Sequence, residues 1–191
     1  MPAPLLPRDV VVDRLMGAFR RHGYDAASLA QLSSATGLGR SSLYHYFPGG
    51  KEEMARAVLD RVDTWVRDAV LAPVHASGTP ERRLGKVIAQ LDSYYAGGAE
   101  ACLFGNLVVG EARLLFQERL GASLRDLVDG FARLAKDKGV PAREAQRRAE
   151  DAVVRIQGAL ILSRGIDDVA PFRRVLKDLP RHLLASGFPT P

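Results

Sequence analysis

The stretch SLAQLSSATGLGRSSLYHYFPGGK, residues 28–51, decides how the rest of this chain is read. Ser28 is a good N-cap, and Leu29 and Leu32 give the short helix behind it an inward face that stops at Thr36-Gly37. Gly37 supplies the positive φ that a tight turn between two steeply packed helices requires. A second short helix is predicted over residues 40–46, with Leu32, Leu38 and Leu43 in the core and Ser33 small enough for close approach. The face left over is Arg40, Ser41, Ser42, Tyr44 and His45. A helix carrying such a face fits the major groove of DNA, where those side chains reach bases or phosphates. Ser28 with its free backbone N–H groups, and Lys51 at the start of the next helix, are suited to grip the phosphates on either side.

Outward from this stretch, apolar residues recur at helical spacing and no segment alternates as a half-buried strand does, so an all-α protein is predicted. A first helix over residues 8–22 places Val11, Leu15, Ala18 and Phe19 on one face and Arg14, Arg20 and Arg21 on the other. A long fourth helix follows Pro48-Gly49-Gly50, with Met54, Val58, Val62, Trp65, Val66 and Ala69 in one stripe. The loop PVHASGTP, residues 73–80, is the clearest punctuation, and longer apolar helices follow it. The expected organisation is a helix-turn-helix domain over residues 1–50, a connector helix over 51–72 and a larger helical domain over 73–191, whose last two helices span about 142–164 and 169–186. Only the proline-rich ends read as disordered.

The bulk composition narrows the function classes. With 191 residues, 47% hydrophobic and 26% charged, the chain has the make-up of an ordinary globular protein. A net charge of +5 leans toward a polyanionic partner, although arginine-rich helix faces are usually just solvated. A lone cysteine, Cys102, forms no internal disulfide, and no His/Cys pattern has zinc spacing, so no metal or cofactor is expected. The N-terminus lacks a signal peptide's features and no run approaches about 18 apolar residues, so a cytoplasmic protein with no membrane span is expected. No nucleophile, base and orienting group share a motif, which leaves an enzyme as an alternative without a visible site. A helical interaction or small-molecule-binding protein without DNA binding is the other alternative.

The run FRRHGYDAASLAQLSSATGLGRSSLYHYFPGGKEEM, residues 19–54, and above all LYHYF followed by a lysine, resembles the DNA-binding domain of the TetR family of bacterial transcriptional regulators. Residues 40–46 match the family's recognition helix and Lys51 its phosphate-contacting lysine. Three departures stand out: Gly39 where a serine or threonine cap is common, Ser33 and Thr36 where alanine is common, and a Gly49-Gly50 turn one residue longer than usual. The longer turn and the ACLFGN segment resemble the LmrA/YxaF-type sub-branch of repressors. The resemblance implies a double-stranded palindromic operator as partner, a homodimer, and release by a small apolar or aromatic effector.

For the effector pocket the expected residues are Trp65, Leu91, Tyr94, Tyr95, Cys102, Phe104, Asn106, Leu107, Phe116 and Phe131. Each also reads as plain core, and Cys102 as an inert buried thiol rather than a redox sensor. Asn106, an amide in an apolar stretch, must find a backbone or ligand partner. For the dimer interface the resemblance points to the last two helices, and the run VVRIQGALIL, residues 153–162, is apolar nearly all round as a helix covered on both sides would be. The expected contacts are Val153, Ile156, Gly158, Leu160, Phe172, Leu176, Leu179 and Leu183; a central helix of a monomeric core would look the same.

Overall fold

The structure is a computed structural model that describes residues 6–185; the proline-rich ends expected to be disordered, residues 1–5 and 186–191, lie outside the described residues. Every regular element among the described residues is helical, as the periodicity predicts. In chain order these are α1 (Arg8–His22), α2 (Leu29–Thr36), α3 (Arg40–Tyr46), α4 (Gly50–Trp65), a π-helical segment (Val66–Leu71) and α5 (Ala72–His75). There follow α6 (Pro80–Tyr94), a 3-10 turn (Ala96–Gly98), α7 (Leu103–Leu107), α8 (Gly110–Asp137), α9 (Ala142–Gly165) and α10 (Ala170–Leu184).

These elements form two compact units, Met1–Thr64 with Leu103–Gln117, and Trp65–Cys102 with Glu118–Pro191. In the first, α1 buries Val11, Leu15, Ala18 and Phe19, and Leu32, Leu43, Phe47, Met54 and Val58 complete the apolar interior. The segment 103–117, which the sequence reading assigns to the C-terminal domain, groups instead with these N-terminal helices. The reason is local: α7 packs on α1, and the Asn106 Nδ2 donates to the Arg20 carbonyl at 2.6 Å. The ring of Phe116 meets Tyr24 edge-on at 5.9 Å.

The expected connector helix is not uniform. Met54, Val58, Val62, Val66, Val70 and Val74 are all buried, a spacing of four residues that drifts around an ideal helix of 3.6 residues per turn. The wider π turn over Val66–Leu71 absorbs that drift, and so Val70 rather than Ala69 continues the buried stripe.

In the second unit α6 packs on α5 and α10, and α10 runs along α9. The buried Arg83 ties this unit together, donating from Nη1 to the Val74 carbonyl at 2.7 Å and from Nη2 to Asp137 at 2.8 Å. Arg148 does the same at the other end, donating from Nε to Glu144 at 2.8 Å and from Nη1 to the Ala185 carbonyl at 2.6 Å. Gly98 has φ +106°, and a Cβ there would lie 2.8 Å from the Phe172 Cβ. Gly98→Ala is therefore expected to cost about 3 kcal/mol from backbone strain and overpacking together, read as a lowered urea midpoint.

Hydrogen bonds from Arg147 and then Arg148 hold the Glu144 carboxyl down to about 2. A carboxyl with a depressed folded-state value stabilises the fold above its unfolded value, and that contribution is lost as pH falls through the folded value. Glu144→Gln should flatten the decline of the thermal midpoint between pH 4.5 and about 2, while leaving its shape above that window unchanged.

Candidate nucleic-acid interface

Capping at Ser28 fixes the start of α2. Its Oγ accepts from the Gln31 backbone N–H at 3.3 Å, and the Gln31 Oε1 accepts from the Ser28 N–H at 2.8 Å, a reciprocal capping box. At the other end Gly37 sits in the left-handed region at φ 71° and ψ 14° and closes the helix by donating to the Ser33 carbonyl. Thr36, fully buried, donates from Oγ1 to the Leu32 carbonyl at 2.8 Å and accepts from the Leu38 N–H at 3.3 Å. The Ser33 hydroxyl donates to the Leu38 carbonyl. Ser33 and Thr36, departures from the alanines common in the family, thus bond the turn that alanine would only fill.

Arg14 lies on the face of α1 that helical periodicity assigns to solvent, yet its Nη1 donates to the Thr36 carbonyl at 2.6 Å. The charge sits on the C-terminal carbonyls of α2, where the macrodipole favours a cation. Periodicity assigns a face; it does not show which neighbouring helix end that face meets.

The helix α3 begins at Gly39 with no side-chain cap, as the sequence implies, and is anchored by the buried Leu43 and Phe47. Arg40, Ser41, Ser42 and His45 are exposed, and Tyr44 is 46% exposed. The opposite side is strapped to the chain's beginning: the Tyr46 hydroxyl donates to the Leu6 carbonyl at 2.5 Å and the Arg8 guanidinium lies 4.9 Å above the Phe47 ring. At the head of α4 the Glu53 carboxylate accepts from the Gly49 N–H at 2.7 Å. Lys51 is half-buried; its Nζ donates to the Tyr24 carbonyl at 3.1 Å and lies 4.4 Å from the centre of the Tyr24 ring. Burial first, then the Glu52, Glu111 and Asp25 carboxylates, push the Tyr24 phenol upward and keep it neutral.

The residues expected to line an effector pocket fall into both units. In the second, Trp65 stacks on Tyr94 at 3.7 Å and 17°, with Tyr95 edge-on to Tyr94 at 5.1 Å. Leu91, Cys102 and Phe131 are buried there, and the Tyr95 hydroxyl donates to the Cys102 Sγ at 3.5 Å. Phe104, Asn106, Leu107 and Phe116 belong to the first unit, where Asn106 has the backbone partner its amide requires.

Of the residues expected at a dimer interface, Ile156, Leu160, Phe172, Leu176, Leu179 and Leu183 are buried within the protomer, Val153 is half-buried and Gly158 is exposed. The exposed large apolar residues of α9 are Val154 at 69%, Ile161 at 72% and Leu162, with Ile166 exposed at its C-cap. A helix apolar all round does not reveal from sequence which stripe faces its own core. Beside the exposed stripe, α9 and α10 form a groove of about 310 Å³ whose lining includes Arg155, Leu162, Val175 and His182. Burial, then the nearby Arg155 charge, lowers the His182 pKa.

Residues 12–58 match the family described as bacterial regulatory proteins, tetR family. That segment is a TetR-type DNA-binding domain. Over most of its length the chain is similar to HTH-type transcriptional regulators. Over 54 residues the chain is 50% identical to the HTH-type transcriptional repressor ComR of Escherichia coli, a match spanning 28% of this chain and only 25% of ComR. Nearly the whole chain aligns with the HTH-type regulators YxaF and LmrA of Bacillus subtilis: each is 23% identical over 91% of this chain, and the matches span 93% and 94% of those proteins. The fold is shared with a TetR transcriptional regulator from Legionella pneumophila, at TM-score 0.79 and 16% identity over 96% of this chain and 100% of the other. It is also shared with a cysteine mutant of the TetR-family regulator CifR solved with 26 bp operator DNA, at TM-score 0.76 and 19% identity over 98% and 100%. Among the described residues no helix is long and apolar enough to cross a membrane.

Loss of the capping box should loosen the head without touching the α3 face. Ser28→Ala is expected to cost about 1 kcal/mol, measured as reduced amide-exchange protection confined to α2 and its neighbours.

Proposed function

We propose that this protein is a homodimeric TetR-family repressor that holds a palindromic operator through α3 and is released from it by a small apolar or aromatic effector. The observation that carries the reading is the α3 face. Arg40, Ser41, Ser42, Tyr44 and His45 project from a helix whose other side is fixed by Leu43, Phe47 and the Gly37 turn. In this reading Arg40 reads a base edge, and Ser28 and Lys51 take phosphates at the two helix starts. Similarity to a named repressor, ComR, and to CifR, solved on a double-strand operator, agrees with it. A repressor of this kind works in the cytoplasm.

Dimerisation is supported by the exposed Val154, Ile161 and Leu162 of α9 and Ile166 at its C-cap, apolar side chains that a second copy of the chain would cover. Two-fold pairing sets two α3 helices one DNA turn apart and makes the operator a palindrome. The effector is assigned to the aromatic group of Trp65, Tyr94 and Tyr95 with Leu91, Cys102 and Phe131, all in the second unit. Both α4 and α8 contribute residues to each unit, so a change around Trp65 has covalent routes to the head.

Selection of tight binders from a random pool of duplex DNA should return an inverted repeat with half-sites about 10 base pairs apart; a single unpaired half-site would refute the palindrome. Arg40→Ala should weaken binding to the selected duplex by about 1–3 kcal/mol and relax preference at one base position per half-site. Trp65 is the only tryptophan in the chain, so its fluorescence reports on the aromatic group. In a screen of small aromatic compounds, those that release the selected duplex should quench it; release with Trp65 emission unchanged would sink the assignment.

A further inference from the structure

The loop between α1 and α2 joins two features that have no relation in the sequence. On one side Tyr24 holds Lys51, with its carbonyl 3.1 Å and its ring centre 4.4 Å from Nζ. On the other side Asp25 caps α8: its Oδ2 accepts from the Glu111 backbone N–H at 3.2 Å, satisfying a donor of the helix start. The fit is close. Gly110 has φ +64°, and a Cβ there would lie 1.7 Å from the Asp25 Oδ2. The Tyr24 ring meets Phe116, one turn and a half further along α8, edge-on at 5.9 Å, and Asn106 bonds the last turn of α1 just before the loop. The loop is therefore joined to α8 by one hydrogen bond and one ring contact, and to Lys51 by one hydrogen bond and one cation–ring contact.

We propose that Tyr24 and Asp25 are positioning residues for operator binding: the start of α8 fixes the loop, and the loop fixes the ammonium of Lys51 for a phosphate. The proposal rests on the reading of Lys51 as a phosphate contact. An ammonium has three N–H donors. One goes to the Tyr24 carbonyl and the ring takes the charge on its face, which leaves two for a phosphate oxygen. Holding a flexible lysine in one rotamer before binding removes an ordering cost that a free lysine would bear on the DNA. Since α8 starts against this loop and ends in the second unit, the same contact makes the grip of Lys51 sensitive to where α8 begins.

The test is a double-mutant cycle on the full-length protein with the selected duplex, over a series of salt concentrations. Lys51→Met alone should lower affinity and reduce the slope of log affinity against log salt by about one per protomer on the DNA. If it changes neither, the phosphate reading itself fails. Asp25→Ala, Gly110→Ala and Tyr24→Leu should each lower affinity about five-fold in the wild-type background, the cost of one side chain no longer pre-ordered. In the Lys51→Met background the same three changes should cost nothing further. Asp25→Asn, which keeps an acceptor for the Glu111 N–H, should bind like the wild type. If the losses add to that of Lys51→Met, the loop acts only on the fold of the head and the proposal is overturned. Asp25→Ala introduces no clash, so it decides the matter if Gly110→Ala does not fold.

Discussion

The left-handed residue at Gly37 is the constraint from which the head of this protein follows. A chain that must reverse between two short helices in so few residues needs one position at positive φ, and only glycine takes it without strain. The reversal also strands carbonyls and N–H groups that a longer loop would give to water. Here Thr36, Ser33 and Arg14 take them up, each from a different direction. With the turn closed this way, the outward face of α3 is set by the burial of Leu43 and Phe47 on its other side. A surface that recognises DNA by side-chain position requires that rigidity, because a helix rotated by one residue would present a different set of groups.

A second constraint acts where the head's last helix continues into the other unit. A four-residue apolar repeat from Met54 to Val74 is incompatible with a straight α-helix, and the π segment resolves the conflict. Such turns inside an α-helix are rare and are found frequently at functional sites. The position of the π segment, directly after Trp65, places this wider turn beside the stacked Trp65–Tyr94 pair. The turn that fixes α3 and this wider turn lie along one continuous run of chain.

Much of the helical framework was legible because its signals are local. Ser28, Gly37, Thr79-Pro80 and the apolar spacing of α1, α6 and α10 each act within a turn or two of themselves, so the sequence window contains the physics. The exposed face of α3 was legible for the same reason. What escaped depends on partners distant in sequence. Arg14 reads as a solvated arginine until Thr36 is beside it, and Asp25 reads as a loop acid until Glu111 is, 86 residues away. The grouping of residues 103–117 with the N-terminal helices has no local signature, since Phe104, Leu107 and Phe116 would be equally content in any apolar interior.

By itself the sequence determined the helical class and the helix-turn-helix with its outward side chains, because hydrophobic period, caps and a turn glycine suffice to specify them. Tertiary structure alone decided which apolar stripe of α9 is spent on the protomer's own core and which is left bare. It also decided that α8 starts in one unit and ends in the other, and that Lys51 is held by Tyr24. Burial and hydrogen bonding between distant residues depend on the path of the whole chain. An amphipathic pattern records how much of a helix is covered, and not by what.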